Sequence, residues 1–189
     1  APIELKPFEV SHPGEYDLII LAFQPWYLSP SPPISTFLQS PAAGKLIRGA
    51  DVLTVIGARN MWVKSFERVK ERVENLGGRL RGNIVLIDRA LNLVSAVTIC
   101  YWMFTGKKDR CLGIFPPPGV PADDIAAAGK FGEGIGQALS QERLDQLSRT
   151  LQKLGGGEIN VSLARLENRA KKVFFLWAKA ITKRPRIRK

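Results

Sequence analysis

Histidine is almost missing from this chain. His12 is the single one among 189 residues, and it sits in a turn context, SHPGEYD, so a mechanism built on a histidine base has no carrier unless a carboxylate or tyrosine takes that part. Cysteine is nearly as scarce. Cys100 and Cys111 form no CxxC unit and have no clustered histidine beside them, which argues against a zinc or iron–sulfur centre and for two buried thiols. A signal peptide is not expected either, because APIELKPFEV has neither a basic start nor an apolar core. The uncharged run Ala90–Gly106 has 17 residues and includes Asn92, Ser95 and Thr98, short of the ~20 apolar residues that a membrane-spanning helix needs. The expectation is a soluble cytoplasmic protein, or one attached peripherally at the inner membrane surface.

Acidic residues are thin in most of the chain. The formal net charge is +11, and it is unevenly placed: residues 1–40 hold one Lys against four acids, whereas residues 41–189 hold 27 bases against 13 acids. Suitable partners are therefore anionic, such as acidic lipid headgroups, nucleic acid, an acidic carrier protein or a phosphorylated cofactor.

What is present suggests a parallel sheet. DLIILAF (17–23), VLTVIGA (52–58) and NIVLID (83–88) are nearly continuous in apolar character, as strands covered on both faces are. Between the second and third, Val63, Phe66, Val69, Val73 and Leu76 recur every three or four residues before Gly77 and Gly78, predicting an amphipathic helix with a glycine stop. ISTFLQSPAAGKLIRGA predicts helix interrupted at Pro41. This alternation implies a doubly wound α/β domain over residues 1–120 with right-handed crossovers. Residues 121–189 read as a helical extension: Leu144, Leu147, Leu151 and Leu154 share one helical face, and a last helix is expected over 161–181. The chain ends in KRPRIRK, five bases in seven residues.

In open parallel sheets, ligands sit beyond the carboxyl ends of the strands, and two unusual loops fall there. FQPWYLSPSPP places Gln24, Pro25, Trp26 and Tyr27 among four prolines, and GARNMW supplies Gly57, Ala58, Arg59, Asn60, Met61 and Trp62. Rigid aromatic faces for stacking, backbone donors and a guanidinium would suit a flat heteroaromatic ring such as an isoalloxazine, with Arg59 favouring its anionic reduced form. The same aromatics could equally close the end of a hydrophobic core, and composition does not separate the two.

DLIILAFQPWYLSPSPPISTFLQS, TVIGARNMWVKSFERVKERVENLGG, NIVLIDRALNLVSAVTICYWMFTGKKDR and GIFPPPGV together resemble the flavodoxin-like family of dialkylresorcinol condensing enzymes. The resemblance covers roughly residues 3–135, and its most specific words are QPWYLSPS, RNMW and WMFTGKK. More distantly, the aromatic and proline loop is similar to that of flavodoxin-like NADPH:quinone reductases. The resemblance implies FMN as cofactor and an oxidoreductase acting on a hydrophobic cyclic ketone, quinone or resorcinol precursor, either aromatising it or working as a reductase in the opposite direction. One departure stands out, since no strand and phosphate-cradling loop precede DLIILAF. The three strands would be the third, fourth and fifth of the flavodoxin-like 2-1-3-4-5 order, so the first strands are expected to be missing from these residues and the chain to be the later portion of a longer protein. A sheet without its central strand would present an edge for another chain to cover, which leaves a homo-oligomer open.

The run ALNLVSAVTICYWMF predicts a helix or strand buried on the sheet, and an apolar pocket there would place Tyr101 and Trp102 against an alkyl chain. TGKKDR is half a phosphate loop, and its Lys107, Lys108 and Arg110 read as solvated. Phe174, Phe175, Leu176, Trp177 and Ile181 beside the basic terminus suit an anionic bilayer interface. No recognised motif favours nucleic acid. The rival to the flavoenzyme is a non-enzymatic flavodoxin-like module that binds membrane or a protein partner through its basic helical C-terminus.

Overall fold

The computed structural model describes residues 3–6, 14–26, 28–59, 61–88, 90, 92–107, 109–110, 113–157 and 167. The expected C-terminal helix over 161–181, His12 and Cys111 therefore lie outside the described residues, save for Glu167.

Three strands form a parallel sheet: β1 (Ile19–Phe23), β4 (Asp51–Ala58) and β5 (Arg79–Ile87), in the order β1-β4-β5. The register pairs Ile19 with Val52 and Phe23 with Ile56 on one side, and Asp51 with Arg79 and Ala58 with Ile87 on the other. Between β1 and β4 come a two-strand hairpin, β2 (Pro25–Trp26) with β3 (Ser29–Pro30), and two short helices, α1 (Pro32–Phe37) and α2 (Pro41–Ile47). Pro32 and Pro41 each open a helix, a position where the missing N–H costs nothing. Ser40 caps α2 by accepting from the Ala43 N–H at 3.2 Å. Helix α3 (Val63–Asn75) links β4 to β5, and Gly77 at φ 83° turns the chain out of it.

Because both crossovers step across the sheet in the same direction, a common hand puts their helices on one face. That face is closed: Ile34, Leu38, Ala43, Ile47, Val63, Val69 and Val73 pack on Ile19, Leu21, Phe23, Val52 and Ile56. The other face needs a separate cover. It comes from the later helices α6 (Gly129–Ser140) and α7 (Leu147–Lys153), which follow the exposed α5 (Ala122–Ala127). Phe131, Ala138, Leu147 and Leu151 from this group join Leu53 and Ile84 in a second core. At Gly82 a Cβ would lie 2.7 Å from Leu151 Cδ1 and 3.2 Å from Leu53 Cδ1, so the bare backbone lets α7 sit close on β5.

This second cover stops short of β1. The strand alternates buried and exposed residues, with Ile20 53% exposed, where near-continuous apolar character predicts burial on both faces. The physical reason is position: β1 is at the sheet's edge, and α6 and α7 are centred over β4 and β5.

The run after β5 forms α4 (Asn92–Thr105). Its carboxyl end is exposed rather than buried as the sequence predicts: Met103 is 75% and Phe104 89% accessible. Likewise Cys100 is an exposed free thiol rather than a buried one. Among the described residues no helix is long and apolar enough to cross a membrane.

Candidate functional site

The FQPWYLSPSPP segment is a tight hairpin. Pro25 faces Pro30 and Trp26 faces Ser29, with Leu28 in the turn. Leu28 has φ 63°, in the left-handed region that costs a non-glycine residue about 1 kcal/mol. Its side chain is buried, and this burial offsets the backbone cost. The hairpin is tied down at both ends: the Ser31 N–H donates to the Gln24 carbonyl at 3.0 Å, and Arg68 Nη1 on α3 donates to Ser29 Oγ at 2.6 Å. Trp26 is thus held on a short ribbon while remaining 53% exposed.

Since Phe23 pairs with Ile56, the residues following β1 and those ending β4 emerge at the same carboxyl end of the sheet. There a groove of about 410 Å³ is lined by Ala22, Phe23, Gln24, Trp26, Ser31, Pro33, Val55 and Gly57. A Cβ on Gly57 would meet no atom within 4 Å, so the backbone there faces open space. A second compartment of about 400 Å³ shares Ala22, Ser31 and Pro33 and continues to Lys6, Ile34 and Phe37. Together they follow the uncovered side of β1.

The structure therefore brings Gln24, Trp26 and Gly57 to one groove and distributes the other predicted residues elsewhere. Pro25 is the half-buried partner of Pro30 in the hairpin. Ala58 is buried in the first core, and its carbonyl accepts from the Asp88 N–H at 2.8 Å. Arg59 and Met61 are half-buried just beyond β4. Trp62 is buried in the first core, its ring edge-on to Phe66 at 6.0 Å between centroids, because it opens α3 on the helix-covered side. Tyr27 and Asn60 lie outside the described residues. Tyr101 and Trp102 are on the last turns of α4, half-buried and exposed respectively; neither lines this groove.

One residue that sequence reasoning missed dominates the neighbourhood of GARNMW. Glu167 is fully buried, and its carboxylate accepts from the Val63 N–H at 3.0 Å and the Lys64 N–H at 2.8 Å. It satisfies two of the donors that every helix N-terminus leaves without an intrahelical partner, and its charge opposes the positive end of the α3 dipole. A clue was available, because the residue before Val63 is Trp62, whose side chain offers no oxygen for a cap. Ser31, Pro33 and Val55 of the groove were missed too, since neither alternation nor loop composition marks them.

A larger concavity, about 670 Å³, lies at the opposite end of the sheet, beside the first residues of β4 and β5. It is lined by charges of both signs, including Arg48, Arg79, Arg81, Asp17 and Glu142, and Asp51 there accepts from Arg79 Nε at 2.6 Å. Among the described residues no group of His, Cys, Asp and Glu is placed to hold a metal ion. No protein-family model, curated protein or solved structure matches this chain.

Proposed function

We propose that the chain is an FMN-dependent oxidoreductase of flavodoxin-like architecture, acting on a hydrophobic cyclic ketone, quinone or resorcinol precursor. The observation that carries this reading is the open groove at the carboxyl ends of two adjacent parallel strands, with Trp26, Gln24 and Gly57 on its wall. Ligand sites of open α/β sheets occur at this place.

The residues fit the ring of the cofactor. Trp26 presents an exposed aromatic face held by a hairpin, Gln24 offers an amide donor and acceptor, and the space before Gly57 admits a planar edge. Arg59 follows β4 at the same end, where its positive charge favours an anionic reduced state. The flavin itself would supply a two-electron, hydride-accepting ring. The open, mostly apolar compartment beside Ile34 and Phe37 suits a hydrophobic substrate. Aromatisation in dialkylresorcinol-type synthesis is the direction that the sequence resemblance supports.

The N-terminus of α3, at the groove's end of the sheet, is already occupied by the Glu167 carboxylate and so does not serve the flavin phosphate. A helix end closed to the phosphate and a net charge of +11 support the second reading, a non-enzymatic flavodoxin-like module that binds membrane or a protein partner through its basic C-terminus.

Titration of the full chain with FMN and with riboflavin, followed by flavin fluorescence, separates the two. The oxidoreductase reading expects both to bind with similar affinity, and Trp26→Ala to weaken both about tenfold through loss of stacking. A colourless protein that takes up neither flavin sinks the reading in favour of the binding module.

A further inference from the structure

The end of α4 is built from large apolar side chains that the fold leaves outside. Trp102, Met103 and Phe104 are consecutive and all exposed, Phe104 at 89%. Three consecutive residues span most of a helix's circumference, so they form an apolar tip rather than a stripe awaiting a neighbouring helix.

At the tip, Thr105 Oγ1 donates to the Tyr101 carbonyl at 2.7 Å, and the Gly106 N–H donates to the Trp102 carbonyl at 2.8 Å. The Trp102 carbonyl, one of the four at this helix end, is thereby satisfied, which lowers the cost of removing it from water. Gly106 at φ 70° then turns the chain out of the helix. Immediately beyond stand Lys107 and Arg110, both exposed, with Asp109 between them.

We propose that this tip docks the protein on a bilayer surface rich in anionic phospholipid, independently of any flavin chemistry. The choice of occupant follows from charge and length. Apolar and aromatic groups followed directly by exposed cations, Lys107 and Arg110, match the boundary between acyl chains and anionic headgroups. The 14-residue helix is about 21 Å long, too short for a hydrocarbon core of about 30 Å, so it enters one leaflet and does not cross. Met103 and Phe104 reach the acyl boundary, Trp102 lies at headgroup level, and Lys107 and Arg110 contact lipid phosphates. This surface is distinct from the basic terminus that the sequence alone suggests for membrane contact.

The test is sedimentation of the full chain with vesicles of phosphatidylcholine alone and of phosphatidylcholine mixed with phosphatidylglycerol. The protein is expected to pellet with the mixed vesicles and not with the neutral ones. The double substitution Met103→Ser/Phe104→Ser is expected to reduce partitioning at least about tenfold without changing the thermal unfolding midpoint, since both side chains already face solvent. Lys107→Glu/Arg110→Glu is expected to remove the preference for phosphatidylglycerol. The proposal is overturned if the wild-type chain stays in the supernatant, or if the serine variant pellets like wild type while deletion of residues 183–189 abolishes pelleting. It is equally overturned if vesicle-free ultracentrifugation finds a dimer that the serine variant converts to monomer without any lipid binding, which would make a second copy the occupant.

Discussion

The two faces of the sheet are finished to different degrees. On one, α1, α2 and α3 close over all three strands, and Val52, Ile56, Val69 and Val73 lose all contact with solvent. On the other, α6 and α7 seal β4 and β5 but leave Ile20 of β1 in water. The same strand thus contributes Ile19, Leu21 and Phe23 to a core and Ile20 and Ala22 to a surface. Fold stability is concentrated on the closed face. The groove of the proposed function follows the open one, where a ligand can approach backbone without displacing a packed side chain.

This contrast can be broken in three places. The largest effect is expected from Ile56→Ala on the closed face, about 4 kcal/mol by denaturant unfolding, because a fully buried side chain leaves a cavity. A loss below about 1 kcal/mol would mean that the face is not packed as described. Next comes Glu167→Ala, expected to cost about 2 kcal/mol by removing two charge-assisted hydrogen bonds. It should also speed hydrogen exchange at the Val63 and Lys64 amides, and unchanged exchange there would remove Glu167 as the clamp of α3. Smallest is Ile20→Ser, expected to stay within about 0.5 kcal/mol of wild type because it exchanges one solvated side chain for another. A large loss from Ile20→Ser would show that something covers β1 in solution.

Much of the closed face was legible from sequence because its signals are local. The spacing of Val63, Phe66, Val69 and Val73 defines one helix face, and Gly77 with Gly78 ends it. The interruption at Pro41 separates two helices where a single interrupted segment was expected. Strand positions also followed, although β5 begins at Arg79, four residues before NIVLID, because Arg79 and Arg81 lean on Asp51 at the sheet's polar end. No local signal distinguishes a parallel strand buried on both faces from one at an edge, so the exposure of Ile20 was invisible. The same limit applies to α4, where a run apolar on every side predicts burial and only the tertiary arrangement leaves Met103 and Phe104 outside.

The candidate site divides in a similar way. Parallel pairing of β1 with β4 places the two loop starts together, and strand order alone could anticipate that. Trp62 goes to the core because the chain turns into α3 one residue later, whereas Trp26 stays outside because a hairpin holds it. The contact between Glu167 and α3 spans 104 positions of sequence separation for Val63, beyond the reach of any periodicity.

Leu28 makes loop length a form of encoded information. Only two positions of sequence separate Trp26 from its paired residue Ser29, so an extra residue would shift the pairing. Side chains along a strand alternate in direction, so a one-residue register slip would swing the indole to the reverse side of the ribbon without altering its chemistry. Orientation of the ring is therefore set by counting as well as by residue identity.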